Sequence, residues 1–325
     1  MHNLTHFIFD CDELDSSAIM KELLSKSSLV TLEFLQTPLS SFQDTYQFPK
    51  TLQRIVIKAA SIIRQDGGIG INHAASDSTN YDMMEKEWYR ATGKKGVHYG
   101  IGYRDTDTDS AAMLMFDLLQ SAFQTIQHLE VAARLFSRFP ETLLELPHLR
   151  ILVLYGEACV GQPFLPLLRG LPSLEDLQFL LCQDDGGGGG FLLGPYPYRG
   201  EPITEHLASA HPLLHSIRLS NASPRDPIFF LLPSSVRRLS LPQVGEGDER
   251  MGWVPREEDL LEIVQSISRS QASLTEFNIT IHEVPSVSFI QQIAILLPQL
   301  HTLTITRPHL AFDFYQHEEV NRLPT

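Results

Sequence analysis

A six-residue apolar pattern, LxxLxL, recurs along the chain and constrains what it can fold into more than any other feature. It reads Leu4-Phe7-Phe9, Leu29-Leu32-Phe34, Leu52-Ile55-Ile57, Ile126-Leu129-Val131 and Leu149-Leu152-Leu154. It continues as Leu174-Leu177-Phe179, Leu214-Ile217-Leu219, Val236-Leu239-Leu241, Leu274-Phe277-Ile279 and Leu300-Leu303-Ile305. A short unit of this kind cannot cover its own apolar face, so successive units must stack on one another.

The hexamer alone carries little weight. Leu, Ile, Val and Phe make up 100 of the 325 residues, and about nine chance matches follow from that composition. Three features of context distinguish the repeat from chance. Six of the nine gaps between successive starts are 22 to 26 residues long, inside the range of short repeats that pair one strand with one helix. Proline stands two or three residues ahead of six hexamers, as Pro49, Pro147, Pro172, Pro212, Pro233 and Pro298. Proline cannot continue a helix, and it favours extended backbone at the start of a strand. The x positions are selectively polar: of thirty, only Ile8, Val30, Val56, Ile151 and Val153 are aliphatic. That is the alternation of a strand with one face buried and the other wet.

Segments between the hexamers have helical periodicity. Residues 109–122 put Ala111, Leu114, Met115, Leu118, Leu119 and Ala122 on one face, behind a capping Asp109 or Ser110. Residues 256–268 follow Pro255 and carry Glu257, Glu258 and Asp259 in the first turn, where acids suit the helix dipole. Leu260, Ile263, Val264 and Ile267 form their apolar stripe, and residues 286–297 bury Phe289, Ile290, Ile293, Leu296 and Leu297. The expected unit is helix, proline stop, one-sided strand.

Three stretches interrupt the period: residues 66–108, residues 183–202 with the Gly186–Gly190 run, and the acidic residues 242–255. Excursions of this sort are inexpensive in a solenoid. The expected organisation is one array over residues 1–310 and a polar tail at 311–325.

A formal charge of −14 argues against nucleic acid as a partner, because phosphate binding relies on basic clusters. The same charge argues against an anionic membrane as a partner, and no apolar run is long enough to give a membrane-spanning helix. Cys11, Cys159 and Cys182 form no CxxC pair and read as reduced thiols of a cytoplasmic or nuclear protein. The opening residues, with Asp10, Asp12 and Glu13, do not read as a signal peptide. The sequons at Asn3, Asn221 and Asn278 then read as coincidental.

The sequence carries no complete motif of familiar site chemistry, and no cofactor or metal is expected. Asp105, Asp107 and Asp109 mimic the start of a calcium loop, but Ser110 replaces the central glycine and Phe116 the final glutamate. Gly67-Gly68-Ile69-Gly70 lacks the third glycine of a dinucleotide fingerprint, and Gly93-Lys94-Lys95 has Trp88 where a phosphate loop needs glycine. No HExxH motif occurs among the thirteen histidines, and there is no GxSxG elbow.

The segments LPHLRILVLYG, LPSLEDLQFLLC and LPQLHTLTITRP resemble leucine-rich repeats, and their irregular lengths look most like the repeat half of fungal F-box proteins. The resemblance covers about residues 4–306. It implies an α/β leucine-rich-repeat-like solenoid with parallel strands on the concave face and helices on the convex face. Regular repeats of that family carry Asn or Cys at the ninth position. Here only Cys182 fits, with Asp12 as a substitute, so the asparagine ladder is missing. The implied role is substrate recognition for a cullin-type ubiquitin ligase. No F-box is readable ahead of Leu4, so a ubiquitin-ligase adaptor is an expected partner only where an F-box lies upstream.

Two functional readings follow. One is a non-enzymatic protein–protein interaction scaffold whose candidate surface is the wet strand face. The residues expected there are Arg150, then Glu175 and Asp176, then His215 and Arg218, then Arg237 and Arg238. An acidic patch beside a basic one suits a protein partner of complementary charge. The other reading is an enzyme with its site on the loops at 66–108 and 183–202.

Overall fold

The computed structural model describes residues 4–9, 24, 28–34, 48–57, 115–133, 146–157, 170–182, 211–220, 223–224, 226–242, 255–281 and 283–307. The inserted stretches at 66–108 and 183–202, and 242–255 apart from Pro242 and Pro255, lie outside them, as does the tail.

All ten hexamers form strands: β1 (His6–Phe9), β2 (Thr31–Phe34), β3 (Arg54–Ile57), β4 (His128–Ala132) and β5 (Ile151–Glu157) in the first half, then β6 (Asp176–Cys182), β7 (Ser216–Leu219), β8 (Arg238–Leu241), β9 (Glu276–Thr280) and β10 (Thr302–Thr306). They make one sheet in sequence order, and every neighbouring pair is parallel. When the next strand in the chain is also the next in space and runs the same way, each connection must return to the starting end. The chain therefore makes one coil per strand.

The hexamers stack in register. The second apolar position forms one continuous row, Phe7, Leu32, Ile55, Leu129, Leu152, Leu177, Ile217, Leu239, Phe277 and Leu303. Between Leu32 and Phe277 no member of that row is more than 1% exposed. Burying such a side chain contributes roughly 1.5–3 kcal/mol, and a one-residue slip would turn the whole row to the wet side. The terminal members Phe7 and Leu303 are only partly buried.

Two further ladders hold the coils together. The carbonyl of the residue just after each hexamer's first position accepts two successive N–H groups from the next coil. Thr5 O accepts from Val30 and Thr31 at 2.8 and 3.0 Å, and Arg150 O accepts from Glu175 and Asp176 at 2.8 and 3.0 Å. The same fork repeats at all nine junctions, through to Thr275 O with His301 and Thr302. The second ladder is made of hydroxyls one residue ahead of a hexamer. Ser28 donates to Leu4 O at 2.9 Å, Thr51 to Leu29 O at 2.7 Å, Thr125 to Leu52 O at 2.7 Å and Ser235 to Leu214 O at 2.6 Å. Ser173 reaches Pro147 O at 2.5 Å. These side chains satisfy turn carbonyls that the backbone leaves open, in a chain without an asparagine ladder.

The prolines act differently from expectation. Leu149, Leu174, Leu214 and Leu300 each donate N–H to the carbonyl three residues earlier, at Leu146, Leu171, His211 and Leu297. Pro147, Pro172, Pro212 and Pro298 thus occupy the second position of a β-turn, which suits their fixed φ. The extended backbone begins only after that turn. His211 takes a place held by leucine elsewhere; it is buried, with Nδ1 3.2 Å from Leu171 O.

Helices pack on the buried side of the sheet. Helical residues 115–122 bury Met115, Leu118, Leu119 and Ala122. Helix α1 (Glu257–Arg269) buries Leu260, Ile263, Val264 and Ile267, and the Arg256 N–H donates to Asp259 Oδ2 at 3.1 Å at its start. Helix α2 (Val287–Leu296) is capped by Ser286, whose hydroxyl accepts from Phe289 N at 3.1 Å. It buries Phe289 and Ile293, whereas Ile290 and Leu296 are only partly covered. Expectation had buried all of them; α2 belongs to the last coil of the described array, with a neighbour on one side only.

Candidate interaction surface

The side of the sheet opposite the helices displays the x positions of the hexamers, brought into rows by the same register. One row reads His6, Thr31, Arg54, His128, Ile151, Asp176, Ser216, Arg238, Glu276 and Thr302. The next reads Ile8, Glu33, Val56, Glu130, Val153, Gln178, Arg218, Ser240, Asn278 and Thr304. This side is not uniformly wet. Val56 is 0% and Val153 5% exposed, on either side of Glu130. The polar character concentrates from β6 onward.

The seven residues read from the sequence lie together on β5–β8 and the turns that lead into them. Arg150 meets Glu175 in a bidentate pair, with Nε to Oε1 and Nη2 to Oε2 both 2.8 Å. That hydrogen bonding holds the Glu175 carboxyl below the usual carboxylate range. Arg238 Nε meets Glu276 Oε1 at 3.1 Å on the neighbouring strand. Arg237 turns its Nη1 to the carbonyls of Ser234 at 2.6 Å and Val236 at 3.2 Å. His215 lies with Nδ1 3.3 Å from Leu213 O, and Arg218 is exposed. Acids and bases are therefore interleaved across the strands.

The Asp176 carboxyl is shifted the opposite way to that of Glu175. Partial burial raises its pKa, against the Gln178 hydrogen bond and the nearby His215, Ser216 and Arg218. Its Oδ2 accepts from Gln178 Nε2 at 3.3 Å, while Oδ1 is sealed from solvent with no hydrogen-bond partner.

A second constellation was not singled out in the sequence. On β2–β4, Arg54 Nε donates to Glu33 Oε1 at 3.0 Å, and its Nη1 lies 2.7 Å from His128 Nδ1. A guanidinium can meet an imidazole nitrogen only through that nitrogen's lone pair, which requires neutral histidine. Burial and then the Arg54 charge, opposed by Glu33, together lower the His128 pKa to about 4. The signal was available: Arg54 and His128 hold the same hexamer position, so stacking must make them neighbours.

Among the described residues no group of three or more His, Cys, Asp or Glu is placed to hold a metal ion, and no helix is long and apolar enough to cross a membrane. The calcium-like aspartates 105, 107 and 109 lie outside the described residues. No protein-family model and no curated protein sequence matches the chain.

Proposed function

We propose that this chain is a non-enzymatic protein–protein interaction scaffold. In this reading it is a leucine-rich-repeat-like solenoid, with strands on its concave face and helices on its convex face. Its recognition surface is the polar strand side around β5–β8. The observation that carries the reading is that Asp176, Arg218 and Arg238 share the polar side of the sheet, with Arg150, Glu175, His215 and Arg237 just ahead of β5–β8. A rigid array of charges held by neighbouring strands suits a partner of complementary pattern, where charge sets register and on-rate more than affinity. The resemblance to F-box repeats further suggests the substrate-recognition region of a cullin-type ubiquitin ligase receptor. An adaptor would join only through an F-box upstream of this sequence.

The test is affinity purification with mass spectrometry from the native cell, comparing wild type with Arg150→Glu/Arg218→Glu and with Gln292→Lys on the exposed side of α2. The strand-side variant should lose the reproducible partners and the helix variant keep them. Equal recovery with both variants refutes recognition through this surface.

A further inference from the structure

The outer edge of β10 has the properties of a surface built to pair with itself. Among the described residues β10 is the last strand of the sheet, and its five residues Thr302–Thr306 contain none of the lysine, proline or bulge devices that blunt an exposed edge. Thr302 N donates to Thr275 O, and Thr306 O accepts from Ile281 N, each at 3.0 Å. Parallel pairing alternates along a strand, so residues 302, 304 and 306 direct their backbone groups at β9. Leu303 and Ile305 therefore direct theirs outward, where no described residue meets them. Their side chains are only partly buried, although their counterparts Phe277 and Ile279 one strand inward are 0% and 1% exposed. Among the described residues, both the backbone groups and the apolar row lack a neighbour on the same side.

We propose that two copies of this chain associate through β10, antiparallel about a two-fold axis at Thr304. The TLTIT sequence fits that operation residue by residue. Leu303 faces Ile305 of the second copy, apolar against apolar, and Thr302 faces Thr306. Leu303 and Ile305 are the residues with outward backbone groups, so each facing pair exchanges two N–H to C=O bonds and the dyad makes four. An axis perpendicular to the sheet keeps the buried rows of both copies on one side, so the apolar row continues across the junction. The contact is isologous and closes at two copies. The opposite edge is a poorer match. There Thr31 N donates to Thr5 O, which leaves His6 and Ile8 as the outward-directed residues of β1. A dyad at Phe7 would set an imidazole against an aliphatic side chain.

The full chain at increasing concentration in sedimentation velocity should move from monomer to dimer and no further. Thr304 sits at the dyad in a non-hydrogen-bonded site, where facing side chains come closest. Thr304→Cys should therefore form a disulfide-linked dimer on mild oxidation, well above the wild-type background from its native cysteines, whereas Thr302→Cys, which faces Thr306, should not. Thr304→Lys places two ammonium groups opposite each other and should weaken association about fivefold or more, with wild-type thermal unfolding of the monomer because the position is exposed. A wild type that stays monomeric at tens of micromolar refutes the proposal. So does open-ended assembly, which would mean head-to-tail pairing of β10 with β1, and so does equal cross-linking at 302 and 304.

Discussion

The hydroxyl ladder makes a sharp quantitative claim about what replaces the missing asparagines. Consider Thr125→Val, which keeps the shape of the side chain and removes only the donor. Thr125 Oγ1 lies 2.7 Å from Leu52 O, 3.0 Å from Lys50 O and 3.3 Å from Ala122 O. A net hydrogen bond contributes about 1 kcal/mol, and a carbonyl left open in a partly buried turn adds about as much again at most. The expected cost is thus ~1–2 kcal/mol. Ser28→Ala and Ser235→Ala, which remove donors at 2.9 and 2.6 Å, should cost ~1 kcal/mol each. The three sites are at least two strands apart, or roughly 10 Å, so their effects should add to within about 0.5 kcal/mol. Urea unfolding of the three single variants and the triple variant would then show a combined loss of ~3–4 kcal/mol with little change in slope. A triple variant within about 1 kcal/mol of wild type would mean that water satisfies these carbonyls equally well, and the ladder would have no structural role.

Other expectations follow from the same coordinates. His128 has a pKa of about 4 in the folded chain against an ordinary 6.5, so only the unfolded chain takes up the proton between those values. Stability should be unaffected above pH ~6.5, fall as pH drops toward 4, and level off below. After discounting for its partial exposure, the loss is ~1–2 kcal/mol. Urea midpoints of wild type and His128→Gln at pH 7 and 4.5 isolate it; parallel pH profiles would count against the assignment. In the core, Leu152→Ala at a fully buried central position should cost ~3–4 kcal/mol, while Leu303→Ala at the partly buried end should cost ~1 kcal/mol. Equal losses in denaturant would show that the last coil is as well covered as the middle. Exchange of Arg150 for Glu alone should leave thermal unfolding close to wild type, since exposed ion pairs contribute little; a marked loss in calorimetry would give the Arg150–Glu175 pair a structural role.

Much of the architecture was legible residue by residue. The apolar positions of the eight inner hexamers became buried rows, and the stripe of α1 at Leu260, Ile263, Val264 and Ile267 faced the core. Period-2 and period-3.6 patterns are local consequences of burying one face, so a sequence can display them. The proline was recognised as a boundary, but its turn was not, because a turn is defined by a bond from residue 149 back to 146. The hydroxyl donors were overlooked for a related reason. Ser28 and Leu4 are 24 residues apart, and Thr125 and Leu52 are 73 apart; no local pattern ties a donor to an acceptor in another coil.

The candidate surface divides in the same way. That Asp176, Arg218 and Arg238 face away from the core followed from alternation alone, since neighbouring strand residues point to opposite sides; Arg150 and Glu175 share the parity of Leu152 and Leu177 and stand just ahead of the strands. Which charges meet followed only from the stacking. Arg54 and His128 are separated by 74 residues yet lie 2.7 Å apart, because the chain returns to the same register after an insertion of any length. The sequence by itself determined the repeating unit, the buried rows and the wet side, all of which depend on the order of residues within one coil. Only the tertiary structure decided the pairings, the sealed carboxyl oxygen of Asp176 and the open edge at β10, because these depend on which coil lies next to which.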